Sequence, residues 1–213
     1  MASARDSILS RKREYYDQEI QRHGCTAIGV GWNSPESQEM RFRQLLKLAD
    51  LTVPFSINDF GCGYGALVGY LKKEAESVQY CGFDISPEMI RKAKELYGQT
   101  DGISFVGRES ELLPADYTVA SGIFNCTFET PIPEWEAYIL ETLATLDALS
   151  EKGFAFNLLT RYSDQELMRS DLYYADPAFL FDYCKTKFSR FVTLLHDYPL
   201  YEFTILVRKT TEQ

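Results

Sequence analysis

Ile57-Asn58-Asp59-Phe60-Gly61-Cys62-Gly63-Tyr64-Gly65 decides how this chain reads. An apolar strand runs into an acidic residue, three glycines follow at alternate positions, and a helix opens at Ala66-Leu67. Glycine carries no Cβ, so such a turn lets a ligand lie against bare backbone at a helix N-terminus. Nineteen residues past Gly65, a second strand through Tyr80-Cys81-Gly82-Phe83 ends on Asp84. An open α/β sheet presents a carboxylate to a ribose hydroxyl pair at that place. Together the two features predict a binder of a nucleoside cofactor.

Outward from this turn, apolar periodicity sets the element order. Upstream, residues 10–23 read as a polar, partly helical arm, and a loop with Gly24, Gly29 and Gly31 runs to Trp32-Asn33. Ser34 caps a helix with Pro35 in its first turn and Phe42, Leu45, Leu46 and Ala49 on its apolar face. Strands are expected at 55–60, 78–83, 103–106, 117–120, 153–158, 191–196 and 202–208. Helices are expected over 66–75, after Ser86 with Met89 or Ile90, Ala93, Leu96 and Tyr97 inward, after Pro133, and from Asp176-Pro177 through Lys187. The helix after Pro133 carries Trp135, Tyr138, Ile139, Thr142, Leu143 and Leu146 on one stripe. Ser163 to Glu166 has the spacing of a capping box. Only about five residues join the last two strands, too few for a parallel crossover of a dozen or more, so the final strand runs antiparallel. The expected fold is α/β: a doubly wound, mostly parallel seven-stranded sheet with an antiparallel last strand. One domain spans 1–213, with 1–50 a helical N-terminal cap and 161–175 a lid-like insert.

Composition narrows the partners. The 213 residues are 45% apolar and 25% charged, with a net charge of −9. No clustered Lys/Arg stripe is present to meet phosphates, so a small-molecule substrate is expected rather than a nucleic acid. Nothing approaches the ~18 continuous apolar residues of a membrane span. Arg11-Lys12-Arg13 is interspersed with Asp6, Glu14, Asp17 and Glu19, and no apolar run follows, which is unlike a targeting peptide. Cys25, Cys62, Cys81, Cys126 and Cys184 are odd in number and lack Cys-x-x-Cys spacing. They read as reduced thiols of a cytoplasmic protein, neither bridged nor holding a metal.

Two cofactor classes compete for the turn. Gly61-x-Gly63-x-x-Ala66 satisfies a relaxed dinucleotide fingerprint. Asp59 two residues before the first glycine, a third glycine at 65, and the closing antiparallel hairpin all point away from it. The chain instead resembles the class I S-adenosylmethionine-dependent methyltransferases over residues 34–208. Asp59, Gly61, Gly63 and Gly65 match the family's first motif, which wraps the amino-acid end of the cofactor. Asp84 matches the acid that bonds both ribose hydroxyls, with Ile85 and Met89 placed toward the adenine. In Val106-Gly107-Arg108-Glu109-Ser110, Glu109 stands where the family offers an Asp to the adenine amine, with Ser110 beside it. The fourth-strand motif is Ala120-Ser121-Gly122-Ile123-Phe124-Asn125, which brings Ser121 and Asn125 to the site. It is not the Asn-Pro-Pro-aromatic sequence of relatives that methylate amide or nucleobase nitrogens. The resemblance implies S-adenosyl-L-methionine as cofactor and S-adenosyl-L-homocysteine as product.

Methyl transfer is an in-line displacement, so the protein chiefly aligns the partners and excludes water; a base is needed only for a nucleophile that must lose a proton. Candidates just past the strands are Asn125, Asn157 and the pair His196-Asp197, with His196 as the base candidate. Each has a plain reading as a turn-capping or loop residue. His23 has less positional support. The tyrosine pairs 15–16 and 173–174 offer faces for a sulfonium or an aromatic acceptor, or simply pack. Trp32, Gln38 and Arg41 precede the first strand; Arg41 is a candidate partner of the cofactor carboxylate, or a solvated helix residue. The expected activity is methyl transfer to a small molecule, oxygen favoured over nitrogen. A nicotinamide-dependent oxidoreductase and a non-catalytic S-adenosylmethionine-binding subunit remain as alternatives, and the oligomeric state is open.

Overall fold

The computed structural model describes residues 4–32 and 34–209. The first three residues of the expected cap, Asn33 at the loop end and the last four residues of the expected domain lie outside them.

Seven strands form one sheet: β1 (Phe55–Phe60), β2 (Val78–Phe83), β3 (Ile103–Val106), β4 (Ala115–Ala120), β5 (Ser150–Leu159), β6 (Phe191–Leu195) and β7 (Glu202–Arg208). Their order is β3-β2-β1-β4-β5-β7-β6. The pairs β1–β2, β1–β4, β2–β3 and β4–β5 are parallel, and β7 runs antiparallel to both β5 and β6. From β1 the chain builds outward to β2 and β3, then returns across to β4. The carboxyl edge between β1 and β4 is therefore the switch point where an open α/β sheet leaves a crevice.

Both faces of the sheet are covered. On one lie α2 (Pro35–Leu45), α3 (Ala66–Glu74) and α4 (Pro87–Tyr97), whose Phe42, Val68 and Ala93 meet Ile57, Tyr80 and Phe105. On the other, α5 (Ile132–Ala148) and α6 (Pro177–Lys187) bury Trp135, Leu143 and Leu180 against Phe154, Phe156 and Phe203. The whole α5 stripe expected from periodicity is buried. All five cysteines are free thiols. Among the described residues no helix is long and apolar enough to cross a membrane.

Three local expectations change. The N-terminal arm is a full helix, α1 (Ala4–His23), longer than the polar 10–23 stretch suggested. Only a narrow stripe, including Ile8, Lys12 and Ile20, is buried, so its mixed composition hid it. Leu96 on α4 is 51% exposed instead of inward. The capping box at 163–166 does not form: Asp164 precedes a three-residue 3₁₀ turn, and the Ser163 hydroxyl donates back to the Thr160 carbonyl at 2.7 Å.

Candidate active site

The turn after β1 is built by backbone geometry. Gly61 and Gly63 hold φ of +86° and +55°, a region L side chains rarely adopt. The Gly61 and Cys62 amides both donate to the Phe83 carbonyl at 2.7 and 2.9 Å, clamping the turn onto the end of β2. The Gly63 amide donates to Asp84 Oδ2 at 2.9 Å, and the Ser86 amide donates to Asp84 Oδ1 at 2.9 Å. The register pairs Asp59 with Gly82 and Phe60 with Phe83, so Asp59 and Asp84 stand at the same edge.

Both carboxyls are buried and neither has a cation within ion-pair distance among the described residues. Asp59 receives one hydrogen bond, from the Tyr80 hydroxyl at 2.7 Å. Burial outweighs it and pushes the Asp59 pKa up to about 7. Burial also raises that of Asp84, against the lowering pull of the Ser86 and Gly63 amides and of the Lys12 charge.

A cavity of about 310 Å³ opens over this edge. That falls within the usual range of small-molecule sites, roughly 300–1,000 Å³. Of the residues singled out from the sequence, Asp59, Gly61, Gly63, Asp84, Ile85, Met89, Glu109 and Ser121 line it, as do Trp32 and Gln38. Glu109 is shared with Arg5, whose Nη2 donates to its Oε2 at 2.6 Å. The Ser121 hydroxyl is buried at the wall without a hydrogen-bond partner.

Several of the expected site residues, Asn157 and Asp197 among them, do not line the cavity. Gly65 has φ +84° and caps α3; a Cβ there would come within 3.1 Å of the Phe105 ring and 3.2 Å of Tyr97, so it serves helix packing. Ser110 is exposed. Asn125 accepts the Leu159 amide at 3.2 Å and, through its carbonyl, the Tyr173 amide at 2.8 Å, tying loops together. Arg41 is buried and makes two bonds to Glu202, at 2.8 and 2.6 Å, while stacking 3.8 Å from the Trp32 ring. Its charge is spent inside the protein. His196 is exposed beside Tyr162 and Phe203, past an edge strand three places from β4. Asn157 acts indirectly: its Oδ1 accepts the Gly122 amide at 2.7 Å and shapes the turn after β4. None of residues 161–175 lines the cavity; the element over it is α1.

Among the lining residues missed from the sequence are Arg5, Leu9 and Lys12 of α1, and Tyr138 of α5, while Tyr16 of the tyrosine pair 15–16 does line the cavity. Positions 5, 9, 12 and 16 recur at helical spacing and form one face. Two basic residues on that face disguised it as solvated surface.

Fold and site together define an open, doubly wound α/β protein with a nucleoside-cofactor crevice. A family model described as a methyltransferase domain matches residues 58–152. Rv1506c of Mycobacterium tuberculosis, described as a candidate methyltransferase, is 51% identical over 166 residues, covering 78% of this chain and all of that protein. Magnesium protoporphyrin IX methyltransferase from Synechocystis PCC 6803, solved with bound SAM, shares the fold at TM-score 0.63 and 13% identity, over 99% of each chain. The N-methyltransferase NodS from Bradyrhizobium japonicum, solved with S-adenosylhomocysteine, does so at TM-score 0.62 and 14% identity, over 93% of this chain and 98% of that one. The chain belongs to the S-adenosylmethionine-dependent methyltransferases of the class I, Rossmann-like fold. Its cofactor is S-adenosylmethionine and its product S-adenosylhomocysteine. The residues present fit that group: a buried acid with spare acceptor capacity, a hydroxyl without a partner and a carboxylate at the second strand end all face one cavity.

Proposed function

We propose that this enzyme methylates a small-molecule acceptor, and that the acceptor atom is an oxygen already ionised at neutral pH. The single observation behind the reading is the cavity, which α1 roofs: Arg5 reaches Glu109, Arg11 reaches the Thr130 hydroxyl at 3.1 Å, and the Ser86 hydroxyl reaches Asp17. A crevice roofed in this way suits a compact acceptor better than a folded macromolecule. Bound S-adenosylmethionine supplies a sulfonium methyl carbon: the acceptor oxygen forms the new C–O bond as the C–S bond breaks and its electron pair returns to sulfur.

The chain's residues hold and orient. Asp84 takes the ribose hydroxyls while its backbone bonds keep it aimed. Ile85 and Met89 flank the adenine, and Glu109 offers its remaining acceptor capacity to the adenine amine. Asp59, the turn at Gly61 to Gly63 and the Ser121 hydroxyl meet the amino-acid end. His196 lies too far along the sheet to serve as base, so an acceptor needing no deprotonation fits this site best.

The test is binding followed by turnover. S-adenosylhomocysteine should raise the melting temperature where NAD and NADH do not, and label from methyl-labelled S-adenosylmethionine should pass to members of a panel of carboxylic acids. Stabilisation by NAD(H) alone would overturn the cofactor placement. Label passing only to amines would overturn the oxygen assignment.

A further inference from the structure

Among the described residues, Lys12 is the cavity-lining cation that the folded chain leaves without an ion-paired carboxylate. Of the other cavity-facing cations, Arg5 is spent on Glu109 and Arg108 on Glu111. Lys12 is 6% exposed, donates to the Ile123 carbonyl at 2.9 Å and the Tyr138 hydroxyl at 3.0 Å, and has no carboxylate within ion-pair distance among the described residues. Its ammonium lies 5.0 Å from the Tyr138 ring centre and 5.9 Å from that of Trp135. An ammonium has three donors, so one is left for the cavity. Burying a cation without a counter-ion is unfavourable, and such sites are completed by an anion.

One helical turn on, Tyr16 faces the same cavity, and its hydroxyl has no hydrogen-bond partner among the described residues. Burial pushes its phenol well up, which keeps it a neutral donor. The ring is held edge-on by Tyr15 and Phe128, at 5.1 and 6.2 Å. Phe128 and Glu129 are the two non-glycine residues at positive φ among the described residues, 52° and 58°. Strained backbone of this kind persists where surroundings over-determine it, and it gathers at ligand clamps.

We propose that Lys12 and Tyr16 form a carboxylate subsite in the roof of the cavity. This rests on the donor placement given above. The carboxylate belongs either to the amino-acid end of the donor or to the methyl acceptor. Lys12 supplies the charge, Tyr16 a neutral O–H, and Leu9 and the Tyr138 ring the apolar flank. The acid group would give Lys12 the direct ion pair that it lacks among the described residues, where Asp84 feels its charge without bonding it.

Two matched ligand pairs test this by calorimetry on the full chain. The first pair is S-adenosylhomocysteine against 5′-methylthioadenosine, which keeps adenine, ribose and sulfur but lacks the amino-acid end. The second is benzoate against benzamide on protein saturated with S-adenosylhomocysteine. Lys12→Met should weaken the acidic member of one pair at least tenfold, the scale of one charge-assisted bond, and leave its neutral counterpart within twofold. A loss in the first pair assigns the subsite to the donor; a loss in the second assigns it to the acceptor. Equal losses within both pairs would mean that Lys12 only pins α1, and no loss in either would mean no subsite; both overturn the proposal. Should Lys12→Met fail to fold, Tyr16→Phe and Lys12→Arg decide: the first should lower the acid preference several-fold, the second should retain it, and an unchanged preference in Tyr16→Phe would overturn the pairing. If wild-type protein binds neither nucleoside, the donor placement itself has failed.

Discussion

Glu202 opens β7 beside the end of β5, is 1% exposed, and receives two bonds from the buried Arg41 guanidinium. Asp59 and Asp84 end β1 and follow β2 at the same carboxyl edge, are buried nearly as deeply, and receive only a phenol and two backbone amides. The first carboxylate is answered within the fold, and the other two are not. A buried ion pair with both partners present is a structural joint, here bracing α2 and, through the Arg41 stack, the Trp32 wall of the cavity. Buried acids without a cation that face a cavity keep their capacity for a ligand.

The sharpest way to break this comparison is to open the closed pair. Arg41→Met leaves Glu202 buried without its cation and should lower stability by about 3–5 kcal/mol in denaturant unfolding. The affinity of the folded fraction for S-adenosylhomocysteine should hold. A large affinity loss at unchanged stability would return Arg41 to the cofactor.

Asp59 should show the opposite sign. Its folded pKa, about 7, exceeds the ordinary carboxylate value, so between about pH 4 and 7 the unfolded chain releases a proton that the native state keeps. Its contribution to stability therefore falls as pH rises through that window and is flat above it, a span of up to about 4 kcal/mol. Asp59→Asn should flatten that part of the pH–stability curve and make the free protein more stable at pH 8, while weakening S-adenosylhomocysteine. In the wild type, binding should tighten from pH 6 to 8, as the ligand's ammonium favours the ionised acid. A pH-independent affinity would remove Asp59 from contact with it.

Asp84→Ala should weaken S-adenosylhomocysteine by about 2–4 kcal/mol, or 30- to 1,000-fold, because two charge-assisted bonds disappear and the Gly63 amide loses its anchor. An unchanged dissociation constant by calorimetry would exclude it from the ribose. The smallest effect is expected at His196, which is exposed and remote from the cavity. His196→Ala should alter stability by less than about 0.5 kcal/mol and leave methyl transfer unchanged across pH. Lost turnover would bring the histidine back as a base.

How far the chain could be read in advance depended on how far apart the deciding residues lie. The turn at Gly61 to Gly63 and the carboxyl of Asp84 belong to neighbouring parallel strands, so local signals sufficed for both. The antiparallel β7 followed from a short connection, and the α5 stripe from its period. Arg41 turned inward, away from the cavity lining, to a partner, Glu202, that lies 161 positions away. His196 lies off the cavity: placing it after a strand does not say how many strands separate it from the switch point.

Alternation of apolar runs with turn residues was enough to specify a doubly wound sheet, and alternate glycines between two acids were enough to specify a nucleoside crevice, because those preferences act over a few residues of backbone. Which charges end up paired, and which element roofs the crevice, was settled only when α1 and α2 packed across the carboxyl edge. That choice is made by burial: a side chain's charge is answered by whatever the fold brings within about 4 Å, and no spacing along the chain encodes that distance.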